Sequence, residues 1–272
     1  MSAPLGWRLL ERELDAWKAL GRRATLWWRD DDACRDSPSL QALLELARRH
    51  RVPVAVAAIA ATADATLADA IARSDEATIV QHGYAHANHA PAGERSAELG
   101  AHRSLRVRRE ELERGRERLA RAFGGRFVPV LVPPWNRIAA DIVPGLPAIG
   151  FHGLSCFGPR PCAFAAPRLV QVNAHVDLIA WRRDRQFIGA DAAIERLASR
   201  LAARRSRETD PDEPTGVLTH HLEMGSDALK FLAELMLRTR DHGAAAWLDV
   251  RDAFAAANSS RAPAALTSDR SA

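Results

Sequence analysis

Two short stretches concentrate the residues that could do chemistry. WWRDDDA places Asp30, Asp31 and Asp32 in a row, and QHGYAHANH, residues 81–89, holds His82, His86 and His89. Adjacent carboxylates repel one another unless a cation sits among them. One Asp and two His make a two-histidine, one-carboxylate ligand set for a divalent ion. Such a set leaves coordination positions open for water and substrate, as a catalytic centre needs. A second Asp beside the ligand can take a proton from the water, and a His from elsewhere can protonate a leaving group. The chemistry indicated is metal-assisted hydrolysis.

Other polar and aromatic residues recur in the same way, at the ends of apolar runs. VPPWNR spans residues 132–137, NAHVDLIAW carries His175, Asp177 and Trp181, and LTHH carries His220 and His221. Side chains alternate along a strand, so only one of His220 and His221 can point to a given face, and Asp30 can face away from Asp31. His89 is either a donor behind the ligands or an ordinary loop residue. Trp27 and Trp28 read as packing, with sugar stacking the minor option. Cys34 reads as a small buried filler. His175 is ambiguous, and His50, His102 and His242 read as solvent-facing.

The elements that must position these residues alternate between strand and helix. Strands are expected at 24–31, 52–60, 77–83, 127–134, 147–152, 168–176, 216–221 and 244–250. Helices are expected at 37–50, with Ser37 as cap and Pro38 in the first turn, and at 65–74, 103–123, 190–205 and 227–240. The repeated β-then-α order predicts a mostly parallel sheet of about seven strands, closed or nearly closed into a barrel. In such a barrel the strand C-termini open onto one face, and that is where each cluster falls. Residues 1–254 are read as one domain with its core at roughly 24–250, and 255–272 as a disordered tail. The polar segment 207–216 reads as a surface connection. Leu105, Leu112 and Leu119 recur at heptad spacing in 103–123, among alternating Arg and Glu. That pattern predicts a solvated helix with one apolar stripe, not a nucleic-acid face.

Bulk composition narrows the class. The 272 residues suffice for one large domain, and the net charge of +4 is spread out with no long basic block. No uninterrupted apolar run reaches the ~18 residues of a membrane span, and the N-terminal stretch reads as an amphipathic helix, not a secretory signal. The 3 cysteines form no Cys-x-x-Cys pair. A cytoplasmic location is therefore expected.

Taken together, the motifs resemble the polysaccharide deacetylase family, the NodB-homology domain of carbohydrate esterase family 4. Asp31-Asp32 matches the Asp-Asp that ends its first strand, and His82-x3-His86 its second motif. VPPW partly matches the Arg-Pro-Pro-aromatic turn, Asp177 and Trp181 the looser fourth motif, and LTHH the fifth. The resemblance covers roughly residues 24–250 and implies a distorted (β/α) barrel. It implies Asp31 as general base, Asp32, His82 and His86 as metal ligands, His220 as general acid, and Asp177 as the carboxylate that orients or charges a catalytic partner. Trp135, Pro134 and Arg137 would line the substrate and oxyanion region, with the Trp135 backbone N–H in the oxyanion hole. The family's third-motif Arg, which steadies the base, aligns with Val132, and Arg29 or Arg137 could replace it. The first motif also carries an extra Asp30, and His89, His175 and His221 are additional.

The expected function is N-deacetylation of an acetylated amino sugar or glycan with one divalent metal ion. Zn is the first choice, with Co, Fe or Mn also suited. Two alternatives stand beside it. One is hydrolysis of another C–N bond, amide or cyclic amide, in a small molecule. The other is a non-catalytic glycan-binding or regulatory barrel. The expected partner is a carbohydrate or small-molecule amide, with no nucleic acid and no membrane; the sequence does not give the oligomeric state.

Overall fold

Apolar runs and amphipathic stretches resolve into ten strands and seven α-helices over residues 5–259, the part of the chain that the computed structural model describes. The strands are β1 (Ala24–Ala33), β2 (Val54–Ala58), β3 (Ala77–His82), β4 (Phe127–Val132), β5 (Gly153–Leu154), β6 (Phe164–Ala166), β7 (Leu169–Gln171), β8 (Ala174–Asp177), β9 (Thr215–Thr219) and β10 (Ala245–Leu248). The helices are α1 (Leu5–Ala19), α2 (Pro38–His50), α3 (Ala65–Ala72), α4 (Leu105–Phe123), α5 (Ala190–Arg205), α6 (Ser226–His242) and α7 (Val250–Ser259). Ser37 caps α2 by accepting from the Leu40 N–H, as its position before Pro38 predicts. No helix among the described residues is long and apolar enough to cross a membrane.

The strand order is β6-β7-β5-β4-β3-β2-β1-β9-β8, with β10 also beside β1. All pairings are parallel except β6 with β7. A single parallel bridge between Phe157 and Ala174 joins the chain leaving β5 to β8 and closes the ring. It rests on Ala174 N–H to Cys156 O at 3.0 Å and Gly158 N–H to Ala174 O at 2.8 Å. The closed circuit uses β1, β2, β3, β4, β5, β8 and β9, which is the predicted count of about seven.

Alternation along β1 sorts its side chains into two layers. Leu26 and Trp28 join the apolar layer between sheet and helices, while Trp27 joins the barrel interior with Ala55, Ala57, Val80, Val130 and Val132. Arg29 and Asp31 follow Trp27 at the period of two, toward the C-terminal mouth. At the other end α7 closes the interior. Phe254 meets Trp27 edge-on at a centroid distance of 6.1 Å.

Five expectations need correction. Residues 147–149 form a 3-10 turn, because Pro147 starts a helical turn and cannot donate to a ladder; the strand follows at β5. The single strand expected over 168–176 is two, β7 and β8, which pair with different neighbours. The expected tail begins inside α7, where Ala253 and Phe254 are buried; residues 260–272 lie outside the described residues. In α4, Leu112 and Leu119 are buried but Leu105 is exposed, so the apolar stripe is shorter than its spacing suggested. Cys34 is only partly buried.

Candidate metal and catalytic site

Asp31 and Asp32 are neighbours, and strict alternation would aim them at opposite faces. The register of β1 against β2 resolves this. Asp30 pairs with Val56 and Ala33 with Ala58, so two residues of β1 stand opposite one of β2. This bulge, with Asp32 at φ 74°, lets both carboxylates serve one site. Bulges re-aim side chains in this way at the rims of barrels.

Asp32 Oδ1 lies 3.1 Å from His82 Nε2 and 3.2 Å from His86 Nε2. One ligand atom from each of the three residues lies within 4.8 Å of the others. The His82 Nδ1–H donates to the Val132 carbonyl at 3.0 Å, which leaves Nε2 as the site-facing atom. His82 is buried, whereas Asp32 and His86 keep partial access to solvent. Burial pushes the Asp32 carboxyl up, but its hydrogen bonds with His82 and His86 outweigh this and hold it well below the usual carboxylate range. Burial pushes His82 down, and the charges of Asp31 and Asp32 outweigh that, so its pKa is raised. Two imidazole nitrogens and a carboxylate oxygen converging with an open side fit a divalent cation.

Beside this triad, Arg29 grips Asp31. Arg29 Nε is 2.9 Å from Asp31 Oδ1, and Nη2 donates to Oδ2 at 2.9 Å. Both side chains are buried. The guanidinium also donates to Asn136 Oδ1 at 2.7 Å and Ser155 Oγ at 2.7 Å, so three separate segments meet at one cation. Arg29, not Arg137, is therefore the arginine on the expected base. The Arg137 side chain is turned instead to the Ser96 carbonyl at 2.7 Å, and among the described residues it makes no hydrogen bond or ion pair with Asp31, Asp32, His82, His86 or His220. Burial and the charges of Arg95 and Arg182 hold its pKa below the ordinary value.

His220 faces the same carboxylate from β9. Its Nε2 is 3.9 Å from Asp31 Oδ2 and its Nδ1 is 4.0 Å from Asp177 Oδ1, both beyond hydrogen-bond length. Asp177 accepts from Trp181 Nε1–H at 2.7 Å and from the Ile179 N–H at 2.9 Å. Burial raises the Asp177 pKa, opposed by the charge of His220. The Trp181 ring meets His220 edge-on at 4.5 Å.

His221 points the other way. Its Nδ1 is 2.6 Å from Asp30 Oδ2, and Asp30 Oδ1 accepts from Thr219 Oγ1 at 2.6 Å. Alternation thus makes two Asp–His couples back to back, Asp31 with His220 inside the barrel and Asp30 with His221 outside.

The VPPW turn completes the rim. Trp135 has φ 54° and lays its ring 4.4 Å from that of His86. Pro134 is buried against Gly83, where an added Cβ would come within 2.6 Å of its ring. Asp32, His86, Trp135 and Asn136 are four of the eight non-glycine residues with positive φ among those described. Each such residue stores on the order of 1–3 kcal/mol, and such strain clusters at functional sites.

Of the remaining histidines, His175 is buried away from the site, with Nε2 3.1 Å from Glu213 and Nδ1 accepting from the Gly216 N–H. His102 faces Glu94 and His242 faces Asp15. His89 is bonded through its backbone N–H to the Ala97 carbonyl. Sequence reasoning missed two residues. Asn136 was visible only as part of a turn. Glu98, buried in the loop before α4, accepts from the Tyr84 and Ala85 backbone N–H groups, and nothing local marks it.

No protein-family model matches the chain, and no curated protein does. Solved structures do. A Mycobacterium smegmatis protein assigned as a polysaccharide deacetylase superposes with a TM-score of 0.66 at 17% identity, over 88% of this chain and 92% of its own. A family 4 acetyl xylan esterase from Clostridium thermocellum, in complex with a cobalt ion, gives 0.51 at 12%, over 85% and 90%. A family 4 pseudoenzyme from Bacillus anthracis gives 0.53 at 13%, over 85% and 66%. At these identities the likeness speaks for architecture, and it agrees with the ring and mouth described above: the chain has the distorted (β/α)-barrel fold of the NodB-type polysaccharide deacetylases.

Proposed function

We propose that this chain is a metal-dependent hydrolase that removes acetyl from the nitrogen of an amino sugar or glycan. The observation that carries the reading is the convergence of Asp32, His82 and His86 next to an Arg29-gripped Asp31 that His220 faces. Asp32, His82 and His86 would hold one divalent cation, Zn²⁺ being the first choice for these donors. Such a cation supplies Lewis acidity, which acidifies a water and polarises the scissile carbonyl.

The protein's own groups do the rest. Asp31 takes the proton of the attacking water, and Arg29 keeps that carboxylate aimed through its two contacts. The backbone N–H of Trp135 is the donor assigned to the developing oxyanion. His220 gives its proton to the departing nitrogen, and Asp177 stands behind the ring, 4.0 Å from Nδ1. Trp181 and the Ile179 N–H hold Asp177 in place.

The test is acetate release from N-acetylated glucosamine oligomers, run together with metal analysis. Wild type should bind about one divalent ion per chain. Asp31→Asn should keep it and lose on the order of 10²–10⁴-fold in turnover, while His82→Ala/His86→Ala should lose both. Unchanged turnover in Asp31→Asn would remove Asp31 from its role. The pseudoenzyme with this fold favours a second reading, a binding module without turnover. Glycan binding with no acetate release at any metal would select it.

A further inference from the structure

The two histidines of the His82-x3-His86 pair are held differently. The His82 ring is fixed by its Nδ1 bond to Val132. Among the described residues, His86 has no such bond. Its ring meets Asp32 and lies tilted against the rings of His82 and Trp135, none of which holds its Nδ1, and its backbone sits at φ 55°. Its position therefore depends on the backbone that delivers it, residues 83–85.

Two buried side chains hold that backbone: Gln81 Nε2 donates to the Gly83 carbonyl at 2.9 Å, and Glu98 takes the two amides that follow. Glu98 is 1% exposed, and each of its carboxylate oxygens takes a different amide. Oε2 accepts from the Tyr84 N–H at 3.0 Å and Oε1 from the Ala85 N–H at 2.6 Å. Hydrogen bonds from backbone N–H groups to an ionised carboxylate are about twice as strong as neutral ones. Gly83 makes room for the clamp. It has φ 56°, and a Cβ there would overlap Glu98 Oε2. The Gly83 N–H is tied to Val132 O at 3.0 Å and the Tyr84 carbonyl to the Ala61 N–H at 2.7 Å, so every residue between the histidines is pinned.

We infer that Glu98 is the positioning residue for His86, with Gly83 as its necessary complement: the carboxylate fixes the turn that brings His86 Nε2 onto Asp32. This rests on the metal-binding reading proposed above. Glu98→Gln is the informative change, since it preserves shape. Its amide oxygen can still accept one N–H, but its NH₂ group opposes the other.

The experiment is Co²⁺ titration of the full chain by calorimetry and visible absorption, for wild type, Glu98→Gln, His86→Ala and the double variant. Supporting groups around ligands typically contribute ~10–100-fold in affinity. Glu98→Gln should lose affinity in that range and change the Co²⁺ spectrum. In the His86→Ala background the same change should cost almost nothing, because the clamp then has no ligand to place. If Glu98→Gln does not fold, Gly83→Ala, which displaces the carboxylate, should give the same loss. Wild-type affinity and spectrum in Glu98→Gln or Gly83→Ala would overturn this inference alone, as would an equal loss with and without His86. A wild type that binds no Co²⁺ would overturn both this inference and the functional reading.

Discussion

Asp31 and Arg29 sit two positions apart on β1, so the pleat puts them on one face and the pair forms without any help from loops. That contact could have been read from the sequence by the same alternation that separates His220 from His221. Burying both charges makes each dependent on the other. Arg29→Met should therefore cost ~3–5 kcal/mol of folding stability, the penalty for an uncompensated buried charge. It should also lower turnover by on the order of 10²-fold through loss of aim. Urea unfolding and kcat on the same preparation check both, and a stable, active Arg29→Met would contradict the clamp. A set of one Asp and two His was legible from residue type and spacing, while the choice of Asp32 among the three aspartates came only from the family resemblance. Glu98 was not legible, because its partners are backbone amides thirteen and fourteen positions away and its role exists only once the loop has folded back.

At the scale of elements, β1 and β9 are joined across their outer face by Asp30, Thr219 and His221. Burial pushes His221 down, but the Asp30 charge outweighs it and raises its pKa above the ordinary 6.5. A histidine whose folded pKa is raised stabilises the fold fully below its unfolded pKa and loses that contribution as the pH rises through the folded value. The stability margin of metal-free wild type over His221→Gln should thus be largest below about pH 6.5 and shrink toward alkaline pH. Its size should be about 1.5–3 kcal/mol, as for a hydrogen bond to a charged group. Urea unfolding across that range checks it, and a margin that grows with pH would reverse the assignment. Long helices and apolar strands were legible because their periodicity is local. The short strands β5 to β8 were not. Their boundaries are set by which neighbour each one pairs with, and β6 turns antiparallel beyond the ring.

For the whole molecule, the candidate ligands join β1 to the loop after β3 across the intervening β2, so a cation bound there would tie the mouth of the barrel together. Zn²⁺ at ~100 times its Kd should add about 2.7 kcal/mol of stability. In a chain of 272 residues that is a rise in Tm of several degrees. A chelator should reverse it, and His82→Ala/His86→Ala should show none. Scanning calorimetry with and without Zn²⁺ decides, and an unmoved Tm in wild type would mean no specific site. The seven-strand circuit was foreseeable from the β-then-α repeat. Its closure through one Phe157–Ala174 bridge was not, since a single bridge leaves no pattern in composition.

Read from the plug to the mouth, β1 carries Trp27 against α7, then Arg29, then Asp31, and after the bulge Asp32. One strand therefore works as a ruler on which the distance from base to ligand is marked in backbone units. Drift in the surrounding loops can reshape what enters the mouth without altering that spacing. A single insertion or deletion before Asp31, by contrast, would turn the whole scale to the wrong face at once.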